Sequence, residues 1–451
     1  MILALPIFVW LIGWQRGSAT VLIAAILTGA GLMSLHERAL QASIVAPILD
    51  KKISVHITAE VVGDPKLGEP KQMSGYIRPA TTTALISVIT ISIKKILYQT
   101  HLPLRLTTAQ HFTALPGSVI SCTGILYSTP EKRVAGLFAE RGTITKLHGA
   151  GTIGRVTGRI RGDFRAVAQR VGGASGALIP GLVLGDTSLE THAFVNDMLL
   201  SGLTHLTAVS GENFAIIAAF LLWLLQWILP NLRARLLITA IVLLGFIFLV
   251  RPSPSVLRAT VMVSVLLLSK ARGVRSSALA ALGLAITILI LIDPFEATDP
   301  GFALSVAATA GILFLFEPVT RWLVRILRHR KLAELFAISI SANLICTPLT
   351  IAISGQFSIM SLPSNFFVEP VVAPITIIGF IAALVAPFAA NFSYLLTLSQ
   401  KPFSALIVWV ASNFAKIPVV HLSKGFEGGS LGVLALTCGW IALRWLSWGP
   451  H

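Results

Sequence analysis

From about residue 204 to the C-terminus, apolar runs long enough to cross a lipid bilayer recur with only short connections between them. Such a chain has few options. Backbone N–H and C=O groups in hydrocarbon need partners, and the α-helix supplies all of them within one segment. We place spans near 204–229, 235–250, 255–269, 276–292, 301–318, 332–353, 371–388, 402–420 and 431–448. The composition agrees: 55% hydrophobic and 12% charged residues over 451 positions is too apolar for one soluble core. The fold class expected is therefore a polytopic α-helical membrane protein.

Charge in the connections orients these spans. Arg233 and Arg235, then Lys270, Arg272 and Arg275, then Arg321, Arg325, Arg328, Arg330 and Lys331 fall on alternate connections. Basic connections tend to stay in the cytoplasm, so the span near 204–229 starts on the outer side. A multi-pass protein of the cell membrane follows.

Ahead of the spans the texture differs. Two apolar stretches, 3–14 and 20–33, flank Arg16 and read as two N-terminal membrane helices over residues 1–36. Residues 50–150 show β-branched alternation broken by turns such as Gly63-Asp64-Pro65 and Gly68-Glu69-Pro70. Candidate strands are 53–62, 75–78, 84–92, 102–106, 118–126 and 142–147. So many short strands in so short a segment predict a small OB-like β-barrel domain, extracytoplasmic by the same topology.

The segment 51–170 holds 17 Lys and Arg against 6 Asp and Glu, which is +11 of the overall +16. Such an excess suits a polyanion or an anionic lipid surface, although solvation alone also recruits charge. Lys94, Lys95, Arg105, Lys132, Arg133 and Arg141 are the candidate nucleic-acid contacts. Aromatic residues are sparse there, so binding would be electrostatic and salt-sensitive.

Residues 151–200 read as interfacial helices. Ile153, Val156, Ile160, Phe164, Val167 and Val171 recur on one face, with five arginines around the rest. The membrane domain proper is expected over 201–451.

Polar groups inside the apolar part carry the functional signal. His205-Leu-Thr-Ala-Val-Ser210-Gly211-Glu212-Asn213 opens a membrane-length apolar run. Polar groups at membrane depth need a protein partner or a hydrated cavity. In one continuous helix His205 and Glu212 lie within about 20° of each other. They would line a hydrated path, or else cap the span and tie helices together. Arg258 is expected to pair with Glu212, with a phosphate contact and a snorkelling arginine as the other readings. Asn365 and Glu369 are four apart, among Pro363, Pro370 and Pro374, which suggests a discontinuous helix at a transport site, or else a short re-entrant loop shaped by the prolines and Asn365. Gly185-Asp186 reads as a turn and helix cap.

Taken together, Gly185-Asp186, Gly202-Leu-Thr-His205 through Ser210-Gly211-Glu212-Asn213, Leu257-Arg258-Ala259, Asp293-Pro294, Gly301-Phe302-Ala-Leu304-Ser305, and Asn365 with Pro370 and Pro374 resemble the ComEC-type competence proteins. The resemblance implies a membrane channel that passes single-stranded DNA through the cytoplasmic membrane during natural transformation. It also implies an outer DNA receptor and a cytoplasmic helicase-type ATPase as partners, beside the lipid bilayer, and leaves a homodimer open. Joined with the polar groups read above, it makes His205, Ser210, Gly211, Glu212, Asn213, Arg258, Asn365 and Glu369 the candidate translocation residues. Glu212 departs from the neutral residue common in the family, and an unpaired acid there would repel phosphate. The chain has no HxHxDH run and resembles the shorter members that lack the metallo-β-lactamase-like domain.

The three cysteines are scattered, and no metal-ligand spacing or GxxxxGK[ST] loop occurs, so we expect no cofactor, no metal and no enzymatic step. The competing function is a secondary transporter for a small polar or anionic solute, which should show two acids converging on a closed pocket, whereas a DNA channel should have a pore-facing stripe free of unpaired acids and wide enough for a strand. A third class is a structural membrane protein whose competence partners have been lost, leaving the fold with little function.

Overall fold

The structure is a computed structural model that describes residues 31–430, apart from 32, 36, 69–70, 74–75, 79–80, 94–95, 111, 113, 132, 208, 252–253, 274–277, 423–424, 426 and 428. The two expected N-terminal helices up to residue 30, the span 431–448, and the candidate contacts Lys94, Lys95 and Lys132 lie outside the described residues. Two compact units divide the chain, Met1–Arg159 and Ile160–His451.

The first unit is a β domain. Its strands are β1 (Ser54–Val61), β2 (Lys66–Leu67), β3 (Lys71–Met73), β4 (Tyr76–Arg78), β5 (Thr82–Ile93), β6 (Ile96–Thr108), β7 (Val119–Tyr127), β8 (Gly136–Glu140) and β9 (Thr145–His148). Alternation sets the inner face. In β1, Val55, Ile57, Ala59 and Val61 are buried while Ser54, His56 and Glu60 face out. A bulge between Thr58 and Ala59 shifts the register against β5 and keeps the apolar residues inward.

β1 pairs antiparallel with β5 on one side and with β7 on the other. β5 pairs with β6, β6 runs parallel to β8, and β8 pairs with β7. Inside sit Ile57, Ile86, Leu104, Leu106, Ile120 and Phe138, all fully buried. Each such side chain contributes about 2 kcal/mol through burial.

Most expected strands are present within a few residues. The expected strand at 142–147 contracts to β9, and the one at 75–78 pairs with β3 in a separate two-stranded sheet. β8 has no counterpart in the expectation. Five residues containing a Gly and a Glu give too short an alternation to register as a strand, yet its Phe138 is a centre of the core.

The described part of the second unit is helical: α1 (Thr152–Val171, which begins in the first unit), α2 (Gly173–Leu184), α3 (His192–Leu200), α4 (Gly211–Leu225), α5 (Leu232–Val250), α6 (Pro254–Ala271), α7 (Ala278–Ile292), α8 (Pro300–Leu327), α9 (Arg330–Ser354), α10 (Ser361–Val385), α11 (Ala390–Ser399) and α12 (Lys401–Phe414). Among the described helices, α5, α8, α9 and α10 are long and apolar enough to cross a membrane, and α2, α4 and α7 are shorter apolar helices. The chain is thus mostly helical and multi-pass in character. Phe246 of α5 links its neighbours, with Phe214 of α4 at 5.9 Å and Phe380 of α10 edge-on at 5.3 Å.

Three expectations are corrected here. The span expected to begin at 204 begins at Gly211, because the Ser210 hydroxyl accepts from the Asn213 N–H and caps α4. His205 lies on a separate 3-10 turn, Thr204–Thr207, so it shares no helical face with Glu212. Finally, α10 runs without a break through Pro370 and Pro374, so the discontinuous helix expected around Asn365 is absent. Each proline removes one ladder bond, and α10 packs against α2, α4, α9, α11 and α12, which hold the segment helical.

Candidate functional site

The turn after α2 gathers charge. Gly185 ends that helix at φ 67°, a left-handed position that glycine adopts without strain, and its N–H donates to the Gly181 carbonyl at 2.9 Å. Asp186 follows and is nearly fully buried. It does not cap α3, whose cap is the Thr191 hydroxyl. Instead the Arg165 Nε and Nη2 groups donate to one Asp186 carboxylate oxygen at 2.8 and 2.6 Å, and the Ser188 N–H donates to the other at 3.2 Å.

Burial pushes the Asp186 carboxyl up, but the Ser188 hydrogen bond and the positive charges of Arg161 and Arg165 outweigh it, so Asp186 sits below the ordinary carboxylate range. Glu190 has the opposite setting. Both its carboxylate oxygens are buried without a hydrogen-bond partner, over the Cα of Gly181. Burial, and then the charge of Asp186, pushes its pKa up to about 8.

Arg161 was read as part of a polar, surface-facing arc of α1. The structure turns it inward, 5% exposed, with Nη1 donating to the Leu184 carbonyl at 2.6 Å and the Leu249 carbonyl at 3.0 Å. The buried row of α1 is Thr157, Arg161, Phe164 and Ala168, at three- and four-residue steps. That spacing was present in the sequence, but an arginine inside an apolar row is easily assigned to the surface. Arg161 satisfies two helix-end carbonyls through one guanidinium nitrogen, which its long side chain brings within reach of both.

At the head of α4 the predicted residues separate. Asn213 is 2% exposed, and its Nδ2 donates to the Leu182 carbonyl of α2 at 2.8 Å while its Oδ1 accepts from the Thr376 hydroxyl of α10 at 3.4 Å. It holds three helices together, and its carboxamide faces their packing rather than an open path. Gly211 makes room for Arg258: a Cβ there would lie 3.0 Å from the Arg258 Nη2 and 3.2 Å from the Ala259 Cβ.

Arg258 itself is 5% exposed, and its Nε and Nη1 are buried without a hydrogen-bond partner. The expected ion pair with Glu212 is absent. Glu212 comes one position after Gly211, about 100° round the helix, and is exposed. Its electrostatic neighbour is Glu369 of α10, whereas Cys346 of α9 lies within electrostatic range of Arg258.

Glu369 is half-buried and accepts a short hydrogen bond from the Ser339 hydroxyl of α9. One turn on, Asn343 Nδ2 donates to the Ser339 carbonyl at 3.0 Å, and its Oδ1 accepts from the Ser361 hydroxyl of α10 at 3.1 Å. Thr347 continues the row, its hydroxyl donating to the Asn343 carbonyl at 2.7 Å. Asn365 is half-buried on α10 between Ser361 and Glu369. A polar stripe on α9, Ser339, Asn343 and Thr347 at four-residue steps, therefore faces Ser361 and Glu369. This stripe escaped the sequence reading because Ser, Asn and Thr inside an apolar helix look like incidental packing. The regular spacing was the signal that could have found it.

His205 is exposed on its 3-10 turn. In the β domain, Arg105 is engaged: its Nε donates to Glu131 at 2.6 Å and its Nη2 bonds the other oxygen. Glu131 correspondingly raises the Arg105 pKa. Arg133 is half-buried and Arg141 exposed. Among the described residues no group of three His, Cys, Asp or Glu is placed to hold a metal ion.

Comparison with known proteins bears on this arrangement. No solved structure matches the chain. ComE operon protein 3 of Bacillus subtilis (strain 168) is 27% identical over 257 residues, which is 54% of this chain and 31% of that protein. The chain thus spans about a third of the length of the curated relative it matches. The family described as "Competence protein" matches residues 182–450, more than half of the chain, and takes in α4 to α12 with every predicted translocation residue. The chain belongs to the competence protein family.

Proposed function

We propose that this protein is a membrane channel that translocates single-stranded DNA across the cytoplasmic membrane during natural transformation, without a chemical step of its own. The observation that carries the reading is Arg258. A buried guanidinium with two unpartnered donors is costly in an apolar surround. It lies against the Ser210-Gly211 turn, inside the segment matched by the family. A nucleic-acid phosphate is the anion that such a group lacks. Ionisable groups kept at membrane depth generally serve transport.

The second support is the polar stripe. Asn365 and the Ser339–Asn343–Ser361 row offer hydrophilic surface within an apolar bundle, and Glu212 and Glu369 lie beside it, where a passing phosphate chain requires both acids to be protonated. His205 stands exposed at the head of α4. We assign the conducting path to these residues, with Ser210, Gly211 and Asn213 shaping the turn that borders it. Gly185 and Asp186 are structural.

In this reading the β domain is an OB-like barrel on the extracytoplasmic face. The pairing sequence β1, β5, β6, β8, β7 and back to β1 supports it. Arg133 and Arg141 would contact the strand, with Arg105 released from Glu131. An outer DNA receptor and a cytoplasmic helicase-type ATPase complete the system.

A carrier for a small polar or anionic solute has one observation in its favour, the electrostatic coupling of Glu212 to Glu369. Exposure of Glu212 argues against the closed pocket that a carrier requires.

The test is uptake of labelled DNA by cells lacking the gene and complemented with wild type, Arg258→Ala or Arg258→Lys at matched membrane abundance. Loss of uptake by at least tenfold in Arg258→Ala, with partial recovery in Arg258→Lys, is expected from losing one buried charge-assisted contact of about 1.5–3 kcal/mol. Wild-type uptake in a stable Arg258→Ala protein overturns the assignment.

A further inference from the structure

At the opposite end of α4 from Arg258, three helices frame a second feature. The end of α4, the start of α5 and the end of α6 enclose an open pocket of about 240 Å³. Its walls are of two kinds. Leu222, Trp223, Leu232 and Leu236 give an apolar side, and Arg235 and Lys270 give a cationic one, with Gln226 between.

The Arg235 Nε is buried without a hydrogen-bond partner, and its Nη2 reaches only the Pro230 carbonyl at 3.4 Å. The remainder of the guanidinium is therefore available to an anion. Arg233 and Arg272 add positive charge nearby in the chain, and the N-terminus of the 19-residue α5 opens at Leu232 in the pocket wall. Trp223 and Trp227 are 56% and 76% exposed at this same end. Amphipathic indoles left exposed at a helix end mark the level of lipid headgroups.

We infer that this pocket binds an anionic phospholipid, its phosphate held between Arg235 and Lys270 and its upper acyl chains against Leu222, Trp223, Leu232 and Leu236. A free phosphate would satisfy the cations but leave the apolar wall wet. A neutral lipid would satisfy the wall but leave Arg235 and Lys270 without counter-charge. Only a lipid with net negative charge matches both sides, and basic pockets between membrane helices are suited to such headgroups. The inference does not depend on what the bundle transports.

The experiment is native mass spectrometry of the purified full chain in detergent, offered phosphatidylglycerol or phosphatidylcholine with the same acyl chains. Wild type should retain phosphatidylglycerol over phosphatidylcholine by several-fold. Arg235→Gln and Lys270→Gln should each reduce that preference roughly fivefold, the worth of one basic residue at a lipid surface. Arg235→Lys should keep most of it. Inorganic phosphate at millimolar concentration should not displace the lipid.

Lys270 is exposed, so Lys270→Gln keeps the test decisive even where Arg235→Gln perturbs folding. Equal retention of the two lipids overturns the inference. So does an unchanged preference in a folded Lys270→Gln protein, or displacement by phosphate alone.

Discussion

The Asn213 carboxamide donates to the Leu182 carbonyl at 2.8 Å, across 31 positions of sequence, and joins the head of α4 to the end of α2. Its oxygen takes the Thr376 hydroxyl from α10. One short side chain thus satisfies a carbonyl near the end of α2, where intrahelical donors run out. Asn213→Ala should leave that carbonyl unpartnered in a buried place and destabilise the bundle by about 2 kcal/mol. Thermal unfolding in detergent checks this, and an unchanged midpoint contradicts the role.

Asp186 and Glu190 should give the stability profile two limbs of opposite slope. Asp186 titrates below its ordinary range in the folded protein, so its contribution is present above the unfolded value and is lost as pH falls through the folded one. Glu190 titrates at about 8 instead of its ordinary 4.5, so its contribution is complete below 4.5 and is lost as pH rises to about 8. Glu190→Gln should flatten the decline between pH 5 and 8 and leave the acid limb in place. An unchanged alkaline slope measured across that range rules out this carboxyl as its source.

The Arg105–Glu131 pair makes a prediction about the β domain. Side chains there are about one-third exposed, so the pair adds little to stability. Its effect should fall on binding. Glu131→Gln frees a guanidinium, and single-stranded DNA should bind a few-fold more tightly, with a log–log salt slope steeper by about 0.7. Fluorescence anisotropy with the full chain at several salt concentrations reads both quantities. Equal affinity and slope would remove Arg105 from the interface.

Cys122 reports on the integrity of the same domain. Burial, followed by the negative charge of Glu140, raises its thiol to about 12, and the side chain is 1% exposed. At pH 8 the thiolate fraction is on the order of 10⁻⁴, so iodoacetamide should leave this residue unmodified until the domain unfolds. Peptide mapping after brief labelling, with and without denaturant, distinguishes the cases. Rapid modification of the native protein contradicts the described core.

Much of the fold was legible because its signals are periodic. Apolar length announces α5, α8, α9 and α10, and alternation announces β1, β5 and β7. Where a single capping bond decides, periodicity is silent. The Ser210 hydroxyl starts α4 at Gly211, and that one bond separates His205 from Glu212, which the run of apolar residues had joined.

Site geometry was legible in membership but not in partnership. Glu212, Arg258 and Glu369 were all singled out, yet the charge that acts on the acid is the second acid, and the arginine packs against a glycine. Which neighbour a side chain finds depends on helix rotation and interhelical packing, quantities that a hydropathy pattern leaves free. Arg161 shows the same limit: its two carbonyl partners are 23 and 88 positions away.

In a DNA-conducting bundle of this kind the strand travels along the polar side of α10. Photo-crosslinking tests it most directly, with a benzoylphenylalanine placed singly at Asn365, Glu369 and Leu395 and cells illuminated while labelled DNA is in transit. Leu395 is 60% exposed on α11 and serves as an outward control. DNA adducts are expected at positions 365 and 369 and none at 395. Adducts absent from both α10 positions, or equally abundant at 395, would contradict it.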